Sequence, residues 1–201
     1  GWVQPATYSS TQQFWWGSST SSSPTYLDTF YSAGLTHPSQ LTIGALWKGF
    51  DDNNASWGRN RVIAEQCGQV LLNTAKEISK YFGGSNPQLP YVQVVTWNDY
   101  EEGTAVEDGI DNCYTVNASL SGSQLTWSLA ASDSYASTAT IHHFNVYYED
   151  AAGNLYSAAS NLSITTNLLD LSSVVPTGTW TVYVEMVGQP LIINRMSNGV
   201  T

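Results

Sequence analysis

Tyr91-Val92-Gln93-Val94-Val95-Thr96-Trp97-Asn98-Asp99-Tyr100-Glu101-Glu102-Gly103-Thr104-Ala105 is a short β-branched run that opens into three carboxylates. Pro90 bounds the run, so residues 91–95 read as a buried parallel strand whose C-terminal end delivers Asp99, Glu101 and Glu102. In a (β/α)8 barrel that end is the active-site face. The expected fold class is therefore α/β plus all-β: the C-terminal portion of a TIM barrel over residues 1–113, followed by a fibronectin-III/Ig-like β-sandwich over residues 114–201.

Asp99 and Glu102 stand three residues apart, and a turn just past a strand brings both side chains to one side of a cleft. Such a pair suits cleavage of a glycosidic bond. One carboxylic acid, its pKa raised by burial or by its charged neighbour, protonates the leaving oxygen while the other stays ionised to activate water or stabilise positive charge. Trp97 and Tyr100 add flat surfaces on which sugar rings stack. The competing reading is a solvated acidic loop with ordinary core aromatics.

Trp97-Asn98-Asp99-Tyr100-Glu101-Glu102-Gly103-Thr104, followed by Ala105-Val106-Glu107, resembles the signature of the glycoside hydrolase family 71 and family 99 group. The family 71 α-1,3-glucanases carry Trp-Asn-Asp-Tyr-Gly-Glu-Ser, and the family 99 endo-α-mannosidases carry Trp-Asn-Glu-Trp-x-Glu-Gly-Thr. The resemblance implies Asp99 and Glu102 as the catalytic pair and leaves Glu101 without an assigned role; Asn98 and Glu107 are expected among the residues that meet substrate. Glu101 departs from the glucanase Gly, whereas Gly103, Thr104 and Glu107 follow the mannosidase form. The likeness spans mainly residues 41–112, and the segment around Asp99 is its specific part.

Outward from this segment, Leu41-Thr42-Ile43-Gly44-Ala45-Leu46-Trp47 reads as another buried strand, and the polar loop Lys48 to Asn54 follows it. Trp47, Asp51 and Asp52 would open onto the same face. Asp51 and Asp52 are placed to hydrogen-bond sugar hydroxyls or, equally, to close an Asx turn. Apolar residues Val62, Ile63, Val70, Leu71, Ala75 and Ile78 predict a long amphipathic helix over residues 58–82, stopped by Gly83-Gly84 and Pro87. A second helix is expected from Pro24 with Ser23 as its N-cap, ending near Gly34, and residues 2–8 read as a further strand. Tyr8, Trp15 and Trp16 belong to a Ser/Thr-rich loop that either lines a substrate cleft or packs on the barrel rim. About three βα elements fit into residues 1–112, whereas a closed barrel needs eight strands and about 250 residues. With Gly1-Trp2 rather than Met at its start, the chain reads as a processed product or fragment, and a second polypeptide carrying the barrel's first part is the expected partner.

Beyond Tyr114 the pattern changes to alternating runs such as Ser123-Gln124-Leu125-Thr126-Trp127-Ser128-Leu129 and Trp180-Thr181-Val182-Tyr183-Val184-Glu185-Met186-Val187. Turn residues Asp150 to Asn154 and Pro176-Thr177-Gly178 separate them, which predicts a sandwich of about seven strands. Trp127, Tyr147, Tyr148 and Trp180 there serve either core packing or a sugar-binding face.

Composition points outside the cell. Cys67 and Cys113, the only 2 cysteines, are placed to pair in a disulfide, with two reduced thiols as the alternative. Asn54, Asn117 and Asn161 each head an Asn-x-Ser sequon, the acceptor of a secreted glycoprotein. With 6 Lys and Arg against 16 Asp and Glu, the net charge of -10 argues against nucleic acid or anionic membranes, and suits a neutral polysaccharide substrate. No apolar stretch approaches the roughly 20 residues of a membrane helix. His37, His142 and His143 lack the spacing of a zinc site; adjacent histidines on a strand alternate faces, so one at most meets a given pocket. No metal and no cofactor is expected. The sequence thus reads as a secreted glycoside hydrolase of the extracellular space or cell wall, cleaving α-1,3-glucan or α-mannan; the alternative is a non-catalytic carbohydrate-binding or cell-wall structural glycoprotein.

Overall fold

The computed structural model describes residues 25–37 and 41–201, and the chain forms two compact units, residues 1–108 and 109–201. In the first, helix α1 (Thr25–Thr36) precedes strand β1 (Gly44–Trp47), the short strands β2 (Phe50–Asp51) and β3 (Val62–Ile63), helix α2 (Gln69–Phe82) and strand β4 (Val92–Val95). β1 and β4 pair in parallel from Gly44 opposite Val92 to Trp47 opposite Val95, and α2 makes the crossover between them. Val70, Leu71, Thr74 and Phe82 give α2 its buried stripe. A Cβ on Gly44 would lie 2.8 Å from Leu89 and 3.1 Å from Ile78, so the missing side chain lets helix and strand approach. Tyr31 of α1 is fully buried, its ring edge-on to Phe82 at 5.7 Å, and its hydroxyl accepts the Ala45 N–H at 3.0 Å.

These elements overturn the barrel. Among the described residues there are two parallel strands with one crossover, and two helices of 12 and 14 residues against a chain dominated by antiparallel sheet. β4 is also not buried: Tyr91 is 65% exposed, and Val92 and Val94 face solvent as well. A β-branched run reports the preference for extended backbone, not whether other elements cover it. The helix expected over 58–82 begins only at Gln69, because residues 59–63 are drawn into extended structure. There the Asp52 carboxylate accepts the Arg59 and Arg61 amides, β3 pairs with β2, and Asn60, Gln66 and Cys67 take positive φ. Residues 2–8, Ser23 and Pro24 lie outside the described residues.

The second unit is a β-sandwich of seven strands. β5 (Tyr114–Ser121), β6 (Gln124–Ala131) and β9 (Leu168–Asp170) form one sheet in the order β5-β6-β9; β7 (Ile141–Glu149), β8 (Leu155–Leu162), β10 (Thr181–Gly188) and β11 (Arg195–Met196) form the other, in the order β11-β10-β7-β8. Alternation decides the layers: Val182, Val184 and Met186 of β10 point inward while Tyr183 and Glu185 point out. Val116, Leu125 and Trp127 from the first sheet meet Phe144, Val146 and the β10 trio in one core. Trp127 is a core residue, edge-on to Phe144 at 5.7 Å. Gly122, at φ 59, opens the two-residue turn that joins β5 to β6, where an L side chain would be strained. His142 and His143 do not alternate. The pairing with β10 skips His142, and this bulge brings the two imidazoles to 4.9 Å between centroids.

Cys67, in the turn before α2, and Cys113, just before β5, are joined in a disulfide. Accordingly, the denatured, unreduced chain should take up no maleimide, and two equivalents after reduction; labelling before reduction would contradict the bond.

Candidate functional site

The carboxyl ends of β1 and β4 lie at one edge of the parallel pair, where open α/β units place ligands. Residues 96–107 form a closed loop there. Thr96 and Thr104 clip its base with a backbone bond (Thr96 N–H to Thr104 C=O, 3.0 Å) and a contact between their hydroxyls at 2.8 Å. Inside the clip, the Thr104 and Glu102 amides donate to the Asp99 carbonyl (3.1 Å) and carboxylate Oδ1 (3.0 Å) respectively. Asp99 therefore organises the turn that carries Glu102. The clip leaves Trp97 63% and Tyr100 59% exposed on either side of the half-buried Asp99.

A second loop braces the first. Asp51 donates its N–H to the Glu102 carbonyl at 2.8 Å. Gly103 lies so close to Asp51 that a Cβ would stand 3.2 Å from its backbone nitrogen, and its φ of 59 is left-handed, so glycine serves here for both reasons. Beneath them Asp52 is fully buried. Its Oδ1 accepts the Arg61 N–H (2.7 Å), and its Oδ2 accepts the Arg59 N–H (3.0 Å) and Arg61 Nε–H (2.8 Å). The Arg61 guanidinium also sits 5.1 Å over the buried Phe50 ring. Burial alone would push the Asp52 carboxyl up; the Arg61 guanidinium and the two backbone donors overcome that and hold it below the usual range.

Glu102 takes the opposite direction. Desolvation, then the Asp99 charge, raise its carboxyl above the ordinary value, with Asp52 adding to the rise and Arg61 opposing it. A raised acid keeps its proton to higher pH, so its proton-donating form is present below the raised value and is lost as pH climbs through it. Carbon-detected NMR of the Glu102 carboxyl should show this midpoint above the ordinary 4.5, and Asp99→Asn should move it back down by removing the like charge. A wild-type midpoint at or below 4.5, or one that Asp99→Asn leaves in place, would contradict the assigned cause.

The structure thus brings Asp99, Glu102, Trp97, Tyr100 and Asp51 together on two joined loops. Asn98 and Glu107 are exposed on the first, and Trp47 is half-buried at the end of β1. Asp52 differs from its expected role: its oxygens are spent on three internal donors, so it holds the loop instead of facing a substrate. Asp51 accepts the Asn53 N–H at 2.9 Å in an Asx turn. Tyr8, Trp15 and Trp16 lie outside the described residues, and Asn54, Asn117 and Asn161 are all exposed. Arg59 and Arg61 escaped the sequence reading. Their signal was that three of only 6 cations, Lys48, Arg59 and Arg61, stand within ten residues of Asp51-Asp52. No family model, curated protein or solved structure matches the chain.

Proposed function

We propose that the chain is a secreted glycoside hydrolase that cleaves α-linked polysaccharide of the α-1,3-glucan or α-mannan type at Asp99 and Glu102. The observation that carries this reading is the pairing, on one clipped loop, of a carboxyl raised by burial and by a neighbouring carboxylate with that neighbour itself. Glu102 is the general acid that protonates the leaving oxygen. Asp99 is the base: it activates water in an inverting reaction, or assists attack by the substrate's own 2-hydroxyl. The exposed Trp97 and Tyr100 rings supply stacking surfaces beside the pair, and the resemblance of residues 97–104 to the family 71 and 99 signature supports the same pair and substrate class. The disulfide and the three exposed sequons support secretion, and no helix among the described residues is long and apolar enough to cross a membrane.

A second reading is favoured by the openness of the ring pair, since both aromatics are more than half exposed: a sugar-binding surface without cleavage. Incubation with α-1,3-glucan and with α-mannan separates the two. The hydrolase releases soluble oligosaccharides from at least one substrate; adsorption to the polysaccharide without products leaves only the binding surface.

A further inference from the structure

We infer that the β-sandwich carries its own binding site for a neutral sugar, in a cleft at the sheet end where Trp180 enters β10. The cleft measures about 520 Å³, within the roughly 300–1,000 Å³ of small-ligand sites. Val182, Trp180, Thr177 and Thr179 line it together with Ser123 and Ser172, whose side chains also hydrogen-bond the Asp170 carboxylate. No Lys, Arg, Asp or Glu side chain lines it. An aromatic plane beside uncharged hydroxyls suits a ligand with apolar C–H faces and many hydroxyls, which is the chemistry of a pyranose. A phosphate or carboxylate ligand would find no cation there, within a chain of net charge -10.

The indole is fixed in advance. Its Nε1–H donates to the Pro176 carbonyl at 2.8 Å, which ties the ring to the loop that borders the cleft. A Cβ on Gly178 would stand 3.0 Å from that same nitrogen, so the bare glycine lets the loop lie close against the indole. Tyr148 meets the indole edge-on at 5.0 Å, and Tyr156 stacks on Tyr148 at 5.2 Å with its hydroxyl donating to Asp150 Oδ2 at 3.1 Å. Asp150 in turn accepts the Ala152 and Asn154 amides, so the brace runs back into the β7–β8 turn. Such bracing lowers the ordering cost of binding. Trp180 is half-buried, and the cleft loop beside it is open to solvent.

The site is separate from Asp99 and Glu102, and its test does not depend on hydrolysis. The indole N–H resonance of Trp180 in the full chain, assigned through Trp180→Phe, is followed during titration with methyl α-D-glucopyranoside, methyl α-D-mannopyranoside and sodium glucuronate. A saturable shift with at least one methyl glycoside and none with glucuronate is expected. Thr177→Arg, at an exposed loop position, puts a long cation into the cleft and should abolish the shift while the rest of the spectrum keeps its dispersion. The inference is overturned if neither methyl glycoside moves the Trp180 signal, if glucuronate moves it equally, or if the shift survives intact in Thr177→Arg.

Discussion

Glu102→Gln is expected to slow polysaccharide cleavage by about 10²- to 10⁴-fold, the span that a positioned general acid contributes. The amide keeps the size of the side chain and removes only the transferable proton, so the melting temperature should stay close to wild type. Substrate choice sharpens the assignment. A dinitrophenyl α-glycoside has a leaving group that departs without protonation, so Glu102→Gln should lose far less on it than on polysaccharide. Asp99→Asn should lose activity on both, because activation of the nucleophile is needed whichever group leaves. Asp99 also accepts the Glu102 N–H at 3.0 Å, and Asn retains that acceptor, which separates its chemistry from its role in the turn. Equal losses on both substrates in Glu102→Gln would contradict the general-acid assignment. Unchanged rates in both variants would remove the pair from the reaction.

Arg61→Ala is expected to cost both stability and activity, although Arg61 pairs with Asp52 and not with Asp99 or Glu102. Its guanidinium is the partner of the fully buried Asp52, and an uncompensated carboxylate there would have to take up a proton or pull the loop open. Loss of the Asp52 anchor frees residues 59–61, and with them the β2–β3 pair that presents the Asp51 N–H to the Glu102 carbonyl. The melting temperature should drop by at least about 5 °C, with hydrolysis falling in parallel. Asp52→Ala should do the same by leaving two amides and a guanidinium without their acceptor. The pH dependence has a definite sign. Asp52 is held below its ordinary value, so its contribution to stability is present above that value and declines as pH falls through the lowered one. A melting temperature within about 1 °C of wild type in both variants would show that the pair does not organise the loop.

What the sequence disclosed and what it hid divide along the range of the interactions. The strands of the sandwich were legible because alternation is a local signal: Val182, Val184 and Met186 against Tyr183 and Glu185 can face only one way in an extended chain. The shared loop of Asp99 and Glu102 was legible for the same reason, since three residues of turn join them. The barrel was not: two strand ends, the helix between them and a family resemblance do not fix how many strands the sheet holds, and only β1 and β4 pair in parallel among the described strands. Val92 and Val94 prefer extended backbone whether or not anything covers them, and here they face solvent. The start of α2 was hidden because helical periodicity over 62–78 competes with Asp52, ten or so residues upstream, whose carboxylate captures the Arg59 and Arg61 amides. Trp180 could not be told from Trp127 by sequence: both are aromatic residues near sandwich strands. Trp127 falls at an inward position of β6, whereas Trp180 precedes β10, beside the cleft loop.

The central claim is that this chain breaks glycosidic bonds, and proton NMR of the wild-type protein with solubilised α-1,3-glucan, and separately with α-mannan, tests it most directly. The prediction is that, with at least one substrate, internal anomeric signals decline while reducing-end anomeric signals grow in equal number. Spectra that stay unchanged with both substrates, from a folded chain with its disulfide intact, would contradict it.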